Sequence, residues 1–463
     1  MPAIITKDFR IHNARQFEES FGEAADTYYL AIGRPQAFAN DQAFNDGTDT
    51  SPPTPVDSVG SVDYYVYDDL MSAKKITSSD VSLCIPRKNW TTGTTYDHYR
   101  HDYGEINSAG STITANSGAS TLFDANFYVM NSTFDVYKCI DNDGNTASTT
   151  EPTGNKSTSV FSTADGYKWK YMYSLTSAEQ ANFLSTDFMH VSTESTDYST
   201  TAGAIENAFV TAGGSSGTNG TYTSVAIRGD GSSGACTVVV SGNAVTSVTV
   251  TTAGSGYTYA SVLASDIGGT SGADIDFIIS PPGGHASDVI TELGGFFVMM
   301  NLDLTQGDGS GDFNVTNDFR RIALLRNPTD STTGSTASAS TLDATKSITF
   351  SGSPGTFQAD EKITQATSGA VGYVVDFNST TKVLRYIQPQ FANQGIDTNQ
   401  NLTAFTGTAT VTGATSSATG TPSSHDTTPE LTADSGEILY VENRKPITRA
   451  SDQTENVKLI VEF

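Results

Sequence analysis

The last twenty-eight residues constrain the fold most. In Gly436-Glu437-Ile438-Leu439-Tyr440-Val441-Glu442-Asn443-Arg444-Lys445-Pro446-Ile447 the apolar side chains fall on both sides of an extended segment. Ile438 and Tyr440 take one side and Leu439 and Val441 the other, as expected of a strand between two packed layers. Asn443-Arg444-Lys445-Pro446 then has turn chemistry and a proline without a backbone donor, which predicts a break. From Val457 the alternation resumes through Leu459, Val461 and Phe463. A chain that reserves two strands for its end, after some two hundred residues rich in Gly, Ser and Thr, must return them to an interior laid down earlier.

The 463 residues are long enough for more than one core. Charged residues are only 16% and glycines number 42, so Ser, Thr, Asn and Gly carry the polarity, which suits strands joined by turns. The formal net charge of −26 argues against a nucleic-acid surface, since phosphate contacts need Lys and Arg. It disfavours an acidic partner as well. Cys84, Cys139 and Cys236 form no CxxC pair and read as buried thiols of a protein made in a reducing cytosol. The N-terminus lacks the order of a signal peptide, and no run approaches a membrane span, so no membrane partner is expected.

Along the chain, Asn13 is the expected N-cap of a short helix bearing Phe17 and Phe21. Tyr28–Ile32 reads as a strand, 40–55 as a loop, and Asp68–Lys75 as a short helix. Ser82–Ile85, Phe127–Met130 and Phe134–Ile140 read as strands, the last two as a hairpin around Asn131-Ser132. Gly166–Tyr173 is the clearest strand of the N-terminal half, with Tyr167, Trp169, Tyr171 and Tyr173 on one face. Thr176-x-x-Glu179 predicts a capping box opening a helix with Ala178, Ala181 and Leu184 on one side. Gly295–Met300 and Arg321–Arg326 read as strands joined by a polar loop over 303–317. Ala370–Val375 and Val383–Ile387 read as a hairpin.

These signals predict a mainly β protein: a β-sandwich-type core with a few short helices, plus two small all-β modules inserted in it. The core comprises 1–205, 285–330 and 431–463, and the Gly/Ser/Thr-rich modules 206–284 and 331–430. Insertion is cheap because closure entropy grows only logarithmically with loop length.

Site chemistry is sparse. His98 and His101 sit among carboxylates in Asp97-His98-Tyr99-Arg100-His101-Asp102 but read as a polar loop, with no third ligand nearby. Asp141-Asn142-Asp143-Gly144-Asn145 starts like a calcium loop, yet Pro152 stands where a bidentate Glu is needed, so a β-turn is expected. No nucleophile elbow or phosphate loop is present. Neither metal nor cofactor is expected, and no catalytic residue is assigned. The stripe of Tyr167, Trp169, Tyr171 and Tyr173 suits a core or an interface better than sugar stacking. Arg34, Arg87 and Arg444, with Trp90, complete the candidate interface or core anchors, since arginines in so acidic a chain can pair carboxylates within or between subunits.

Five stretches in order, 31–35, Ile85-Pro86-Arg87-Lys88-Asn89-Trp90, 165–171, 321–328 and 435–463, resemble the dimeric baseplate wedge subunit of T-even-type contractile-tailed phages. Glu442-Asn443-Arg444-x-Pro446-Ile447 and Asp452-Gln453-Thr454-Glu455 are the most specific. The resemblance stops at both insertions, which are similar instead to small β-modules of marine phage structural proteins. It implies a non-enzymatic virion protein, assembled in the host cytoplasm, that forms a homodimer and touches other wedge subunits in a plate whose rearrangement triggers sheath contraction. A carbohydrate- or receptor-binding tail module is the alternative, and a tail-associated glycosidase a third.

Overall fold

The computed structural model describes residues 5–38, 47–55, 66–107, 110–154, 156–193, 198–305, 313, 317–389, 395–399, 401–449 and 454–463. Residues 40–46 of the loop expected over 40–55, most of that over 303–317, and the motif residues Asp452-Gln453 lie outside them. The protein is mainly β, with 43% strand against 10% helix. It divides into two compact units, residues 1–16, 82–299 and 460–463 in one and 17–81 and 300–459 in the other.

The second unit is built on a five-stranded antiparallel sheet. Its order is Thr341–Asp343, Leu70–Ile76, Tyr28–Gly33, Phe319–Arg326, Glu437–Ile447. Tyr28–Gly33 is central and wholly buried, paired with Leu70–Ile76 on one side and Phe319–Arg326 on the other. The closing strand thus joins the first strand's sheet across some four hundred residues of chain. It differs from expectation in two ways. It is an edge strand, with Leu439 and Tyr440 39% and 37% exposed, and not one buried between layers. It also runs unbroken through Pro446 to Ile447. An edge strand tolerates a missing donor on its open side, and the register shift between Phe319 and Arg321 absorbs the extra residues.

Two helix expectations are corrected. Asp68–Lys75 is a 3-10 turn, Tyr67–Asp69, leading into the strand Leu70–Ile76, because pairing with Tyr28–Gly33 overrides local preference. The first helix spans Lys7–Ser20, so Asn13 is interior, and the cap is Thr6, whose hydroxyl accepts from Phe9 N at 3.3 Å.

Residues 346–426 form a closed antiparallel barrel. Lys346–Ser351, Val383–Ile387, Ala370–Asn378, Lys362–Gln365, Val411–Gly413 and Thr419–Asp426 pair in that order, and the last pairs with the first. Ile348, Phe350, Phe357, Val374, Leu384 and Tyr386 fill it. The Glu361 carboxylate, in a residue 4% exposed, accepts from Gln358 N, Thr415 N, Ser416 N and the Ser416 hydroxyl. A Cβ at Gly413 would lie 2.6 Å from it. Burial pushes this carboxyl up, but the donors outweigh it and hold it below its usual range. The chain leaves and re-enters the sheet side by side: Leu431 N donates to Asp343 O at 3.0 Å.

In the first unit, Tyr128–Met130, Asp135–Asp141, Lys168–Ser174 and Phe161–Ser162 form a sheet in that order. A helix, Ser177–Phe183, follows, and Thr176 and Glu179 make the reciprocal capping box. Its buried residue is Phe183; Ala178 and Ala181 are exposed and Leu184 is the cap, because the short helix ends before a third turn. The strand Phe188–His190 pairs there with the end of Val81–Pro86, Met189 opposite Ile85. The helix Val289–Leu293 was not expected; its signal was Asp288, whose carboxylate accepts from Thr291 N at 3.1 Å.

Residues 205–279 carry their own core. Val225, Cys236, Val238, Val240, Val245 and Phe277 pack together between the three strands Gly220–Ala226, Ala235–Ser241 and Ala244–Thr252 and the pair Ile205–Ser215 and Ser271–Ile279. Here too the ends meet, Ser280 N donating to Ala204 O at 2.9 Å.

Candidate functional site

Tyr167, Trp169 and Tyr171 are wholly buried, as is Tyr173. Tyr167 and Trp169 stack at 5.5 Å between centroids, Tyr96 meets both edge-on, and the Tyr167 hydroxyl donates to Thr146 O at 2.5 Å. A face closed in this way offers a ligand no stacking surface. Trp90, half-buried, packs against the same cluster and donates from Nε1 to Ser148 Oγ at 3.1 Å. Arg87 donates to Ser185 O at 2.8 Å and to Asn89 Oδ1 at 3.1 Å.

Arg34 lies elsewhere, in a charge cluster of the second unit. The chain must turn sharply after the central strand, and Gly33 permits it: a Cβ there would meet Asp69 O at 2.7 Å. Arg34 adopts φ 58° and donates its backbone N–H to Asp69 O at 2.9 Å. Its guanidinium lies 3.6 Å from the Asp69 carboxylate, which also accepts from Arg321 Nη1 at 2.7 Å. Arg321 continues to Asn443 Oδ1 at 3.0 Å, and Asn443 Nδ2 reaches Pro53 O at 3.1 Å. One buried carboxylate and two guanidiniums thus tie the strands Tyr28–Gly33, Phe319–Arg326 and Glu437–Ile447 together. Arg320 pairs beside it with Asp49 at 2.9 and 3.0 Å. Burial pushes the Asp49 carboxyl up, but Arg320 and the Phe38 N–H hold it below its usual range. Arg444 stands apart, half-exposed, 3.7 Å from Glu442.

A second charge cluster lies inside the first unit. Lys138, wholly buried, donates to Glu292, which also accepts from Ser287 N at 2.9 Å. His285 Nδ1 lies 4.0 Å from the same carboxylate, and Lys138 Nζ sits 4.9 Å over the Tyr99 ring. Lys170, also wholly buried, donates to Ser157 O and Tyr171 O. Burial lowers Lys138 despite Glu292, and burial with the Lys138 charge brings Lys170 down to about 8. His285 is pushed well below its usual range by burial and by both lysines, so it is neutral. Asp69, Asp49, Arg320, Lys138 and Glu292 escaped sequence reasoning because their partners are far away in the chain.

His98 and His101 do not converge. The His98 ring tilts against Phe209 at 4.6 Å, and burial with the Arg100 charge lowers it to about 4. His101 Nδ1 accepts from Ile279 N at 3.3 Å. Asp141–Asn145 is a turn, Asp141 Oδ1 accepting from Asp143 N at 3.1 Å. Among the described residues no group of three or more His, Cys, Asp or Glu could hold a metal ion, and no helix is long and apolar enough to cross a membrane.

What is organised here is a frame: a buried ion cluster locking the two ends of the chain into one sheet. Residues 3–151 and 376–463, just over half the chain and both of its ends, match the family described as bacteriophage T4, Gp8. The chain belongs to the bacteriophage T4 Gp8 family. It is a structural protein of the phage baseplate wedge, associated with other baseplate subunits in the virion. A comparison with curated proteins returns no match. The Gp8 match covers Arg34, Asp69, Arg87, Trp90 and the closing strand, but not Tyr167–Tyr171 or the strand Phe319–Arg326. It resumes at 376, inside the barrel strand Ala370–Asn378, so the resemblance does not stop at the borders of 331–430.

Proposed function

We propose that this protein is a homodimeric component of the baseplate wedge that links neighbouring wedge subunits and takes part in the rearrangement driving sheath contraction. The observation carrying this reading is that the family match covers both chain ends, and strands from both ends share one sheet whose edge strand leaves Leu439 and Tyr440 half-exposed. An open strand edge that exposes two large apolar side chains suits a subunit contact. Light scattering at micromolar concentration should give twice the chain mass, with at least ~1,200 Å² buried in total. A monomer under those conditions defeats the homodimer.

The two β modules belong to this proposal as insertions that face outward on the plate. Their ends support it, since each leaves and re-enters the chain within one hydrogen bond. The excision uses the barrel's own limits, 346–426, because Thr341–Asp343 belongs to the sheet and Leu342 is buried there. Replacing 346–426 with a short Gly/Ser linker should leave a folded dimer. Loss of the whole fold would show the barrel to be integral.

A further inference from the structure

The barrel has a mouth where the chain enters and leaves it. A cleft of about 260 Å³ opens there, lined among others by Tyr67, Asp68, Lys346, Tyr386, Gln388 and Asp434. Barrel mouths are a preferred location for small-ligand sites. Lys346 and Tyr386 are register partners on antiparallel strands, so both side chains leave the same face. Two residues along, the partners Ile348 and Leu384 are wholly buried in the barrel interior. Lys346 and Tyr386 therefore end the inward-facing row.

Three polar groups at this mouth have unused capacity. The Tyr386 ring is wholly buried against Phe405, 4.9 Å away, and its hydroxyl has no hydrogen-bond partner among the described residues. An enclosed hydroxyl without a partner is unfavourable until something pairs with it. Lys346 donates one hydrogen bond, to Gln388 Oε1 at 3.1 Å, and keeps two further N–H groups. The Asp434 carboxylate, exposed at the rim of the cleft, has no hydrogen-bond or ion-pair partner among the described residues and is free to accept.

The charges select the ligand class. An anion entering the cleft meets Asp68 and Asp434, and a cation meets Lys346. A neutral ligand bearing several hydroxyls meets both conditions, accepting from Lys346 and Tyr386 and donating to Asp434. The Tyr67 ring supplies an apolar wall. The volume falls just below the ~300–1,000 Å³ of drug-sized sites, which suits one small ring. The geometry points to a site for a neutral polyhydroxylated ring, the chemistry of a single sugar residue, at the mouth of this barrel.

This assignment is independent of the baseplate reading and concerns a different surface from the buried Tyr167–Tyr173 stripe. The test is saturation-transfer NMR on the full chain with the methyl glycosides of glucose, galactose and mannose, free and as terminal residues of disaccharides. At least one should give saturable transfer, and the disaccharides separate a free sugar from the end of a glycan. Tyr386→Phe and Asp434→Ala should each lower the association constant about tenfold, the worth of one hydrogen bond. Tyr386→Phe removes only an unpaired hydroxyl, so its thermal midpoint should stay the same or rise. Absence of transfer from every glycoside, or transfer untouched by both variants, overturns the assignment. Tighter binding of inorganic phosphate or guanidinium at the same residues overturns it too, by replacing a neutral ligand with a charged one.

Discussion

The two β modules, 205–279 and 346–426, arise from similar Gly/Ser/Thr-rich sequence yet solve the problem of strand edges differently. The first stays open. Its strands form separate small sheets over an aliphatic interior, and it leans on its surroundings through Arg100, which bridges Asp102 and Asp276, through His98 against Phe209, and through Asn207 donating to Ile140 O. The second closes on itself, holds a stacked Phe350–Phe357 pair, and satisfies its interior with its own Glu361. Its ties, the Arg385–Asp343 pair and Asn317 donating to Asp360, lie on the chain beside it. Closure removes edges that an open sheet must cover or fasten. The barrel should therefore be the more independent of the two.

The largest break in that comparison should come from Glu361→Ala. It strips several charge-assisted hydrogen bonds at once and should cost the barrel about 4 kcal/mol. Denaturant melts should show one transition move early and the rest hold. If both transitions shift together, the barrel is not autonomous.

Acid should act on the other module first. His98 is held at about 4, below its unfolded value of 6.5. Its contribution is complete above pH 6.5 and is lost as pH falls from there towards 4, by about 3 kcal/mol at the limit. Glu361, whose carboxyl is lowered, stabilises above its unfolded value of 4.5 and loses that contribution only as pH falls further. Between pH 6.5 and 4.5 the unit holding residues 205–279 should weaken while the barrel holds or gains, because burial raises the Asp360 carboxyl to about 6 and its protonation as pH falls relieves that cost. Thermal melts across that window read the difference, and His98→Phe should flatten it.

Arg100→Ala should cost about 2 kcal/mol, because it leaves two partly buried carboxylates without their cation. The expected signature is faster amide exchange in Ser271–Ile279. The smallest effect belongs to Arg228→Ala, whose ion pair with Asp266 is half-exposed and worth less than about 0.5 kcal/mol. A loss comparable to that of Arg100 would mean that the open module depends on its surface charges as well.

Features readable from the sequence were those whose partners lie within a few residues. The Thr176–Glu179 box and the hairpin Ala370–Asn378 with Val383–Ile387 are complete within one window, and both stand as expected. So does the Asp141–Asn145 turn. The helix at Lys7–Ser20 was misplaced because Asn13 has the chemistry of a cap while Thr6 has the position. Asp68–Lys75 is acidic and polar enough to suit a helix, and only the neighbouring strand Tyr28–Gly33 makes it extended. The candidate anchors divide in the same way. The alternation of Tyr167, Trp169 and Tyr171 marked a face, but whether that face was covered depended on Tyr96 and Tyr198, which no local pattern connects to it.

Alternation, turn residues and caps were enough to make this chain mainly β and to send its last strands back towards its first, because burying apolar side chains at period two is a local requirement. Closure of the barrel, the edge position of Glu437–Ile447 and the meeting of Arg34, Asp69 and Arg321 needed the folded chain. Each depends on residues dozens to hundreds of positions apart arriving together, and only packing the whole chain decides which distant groups share one space.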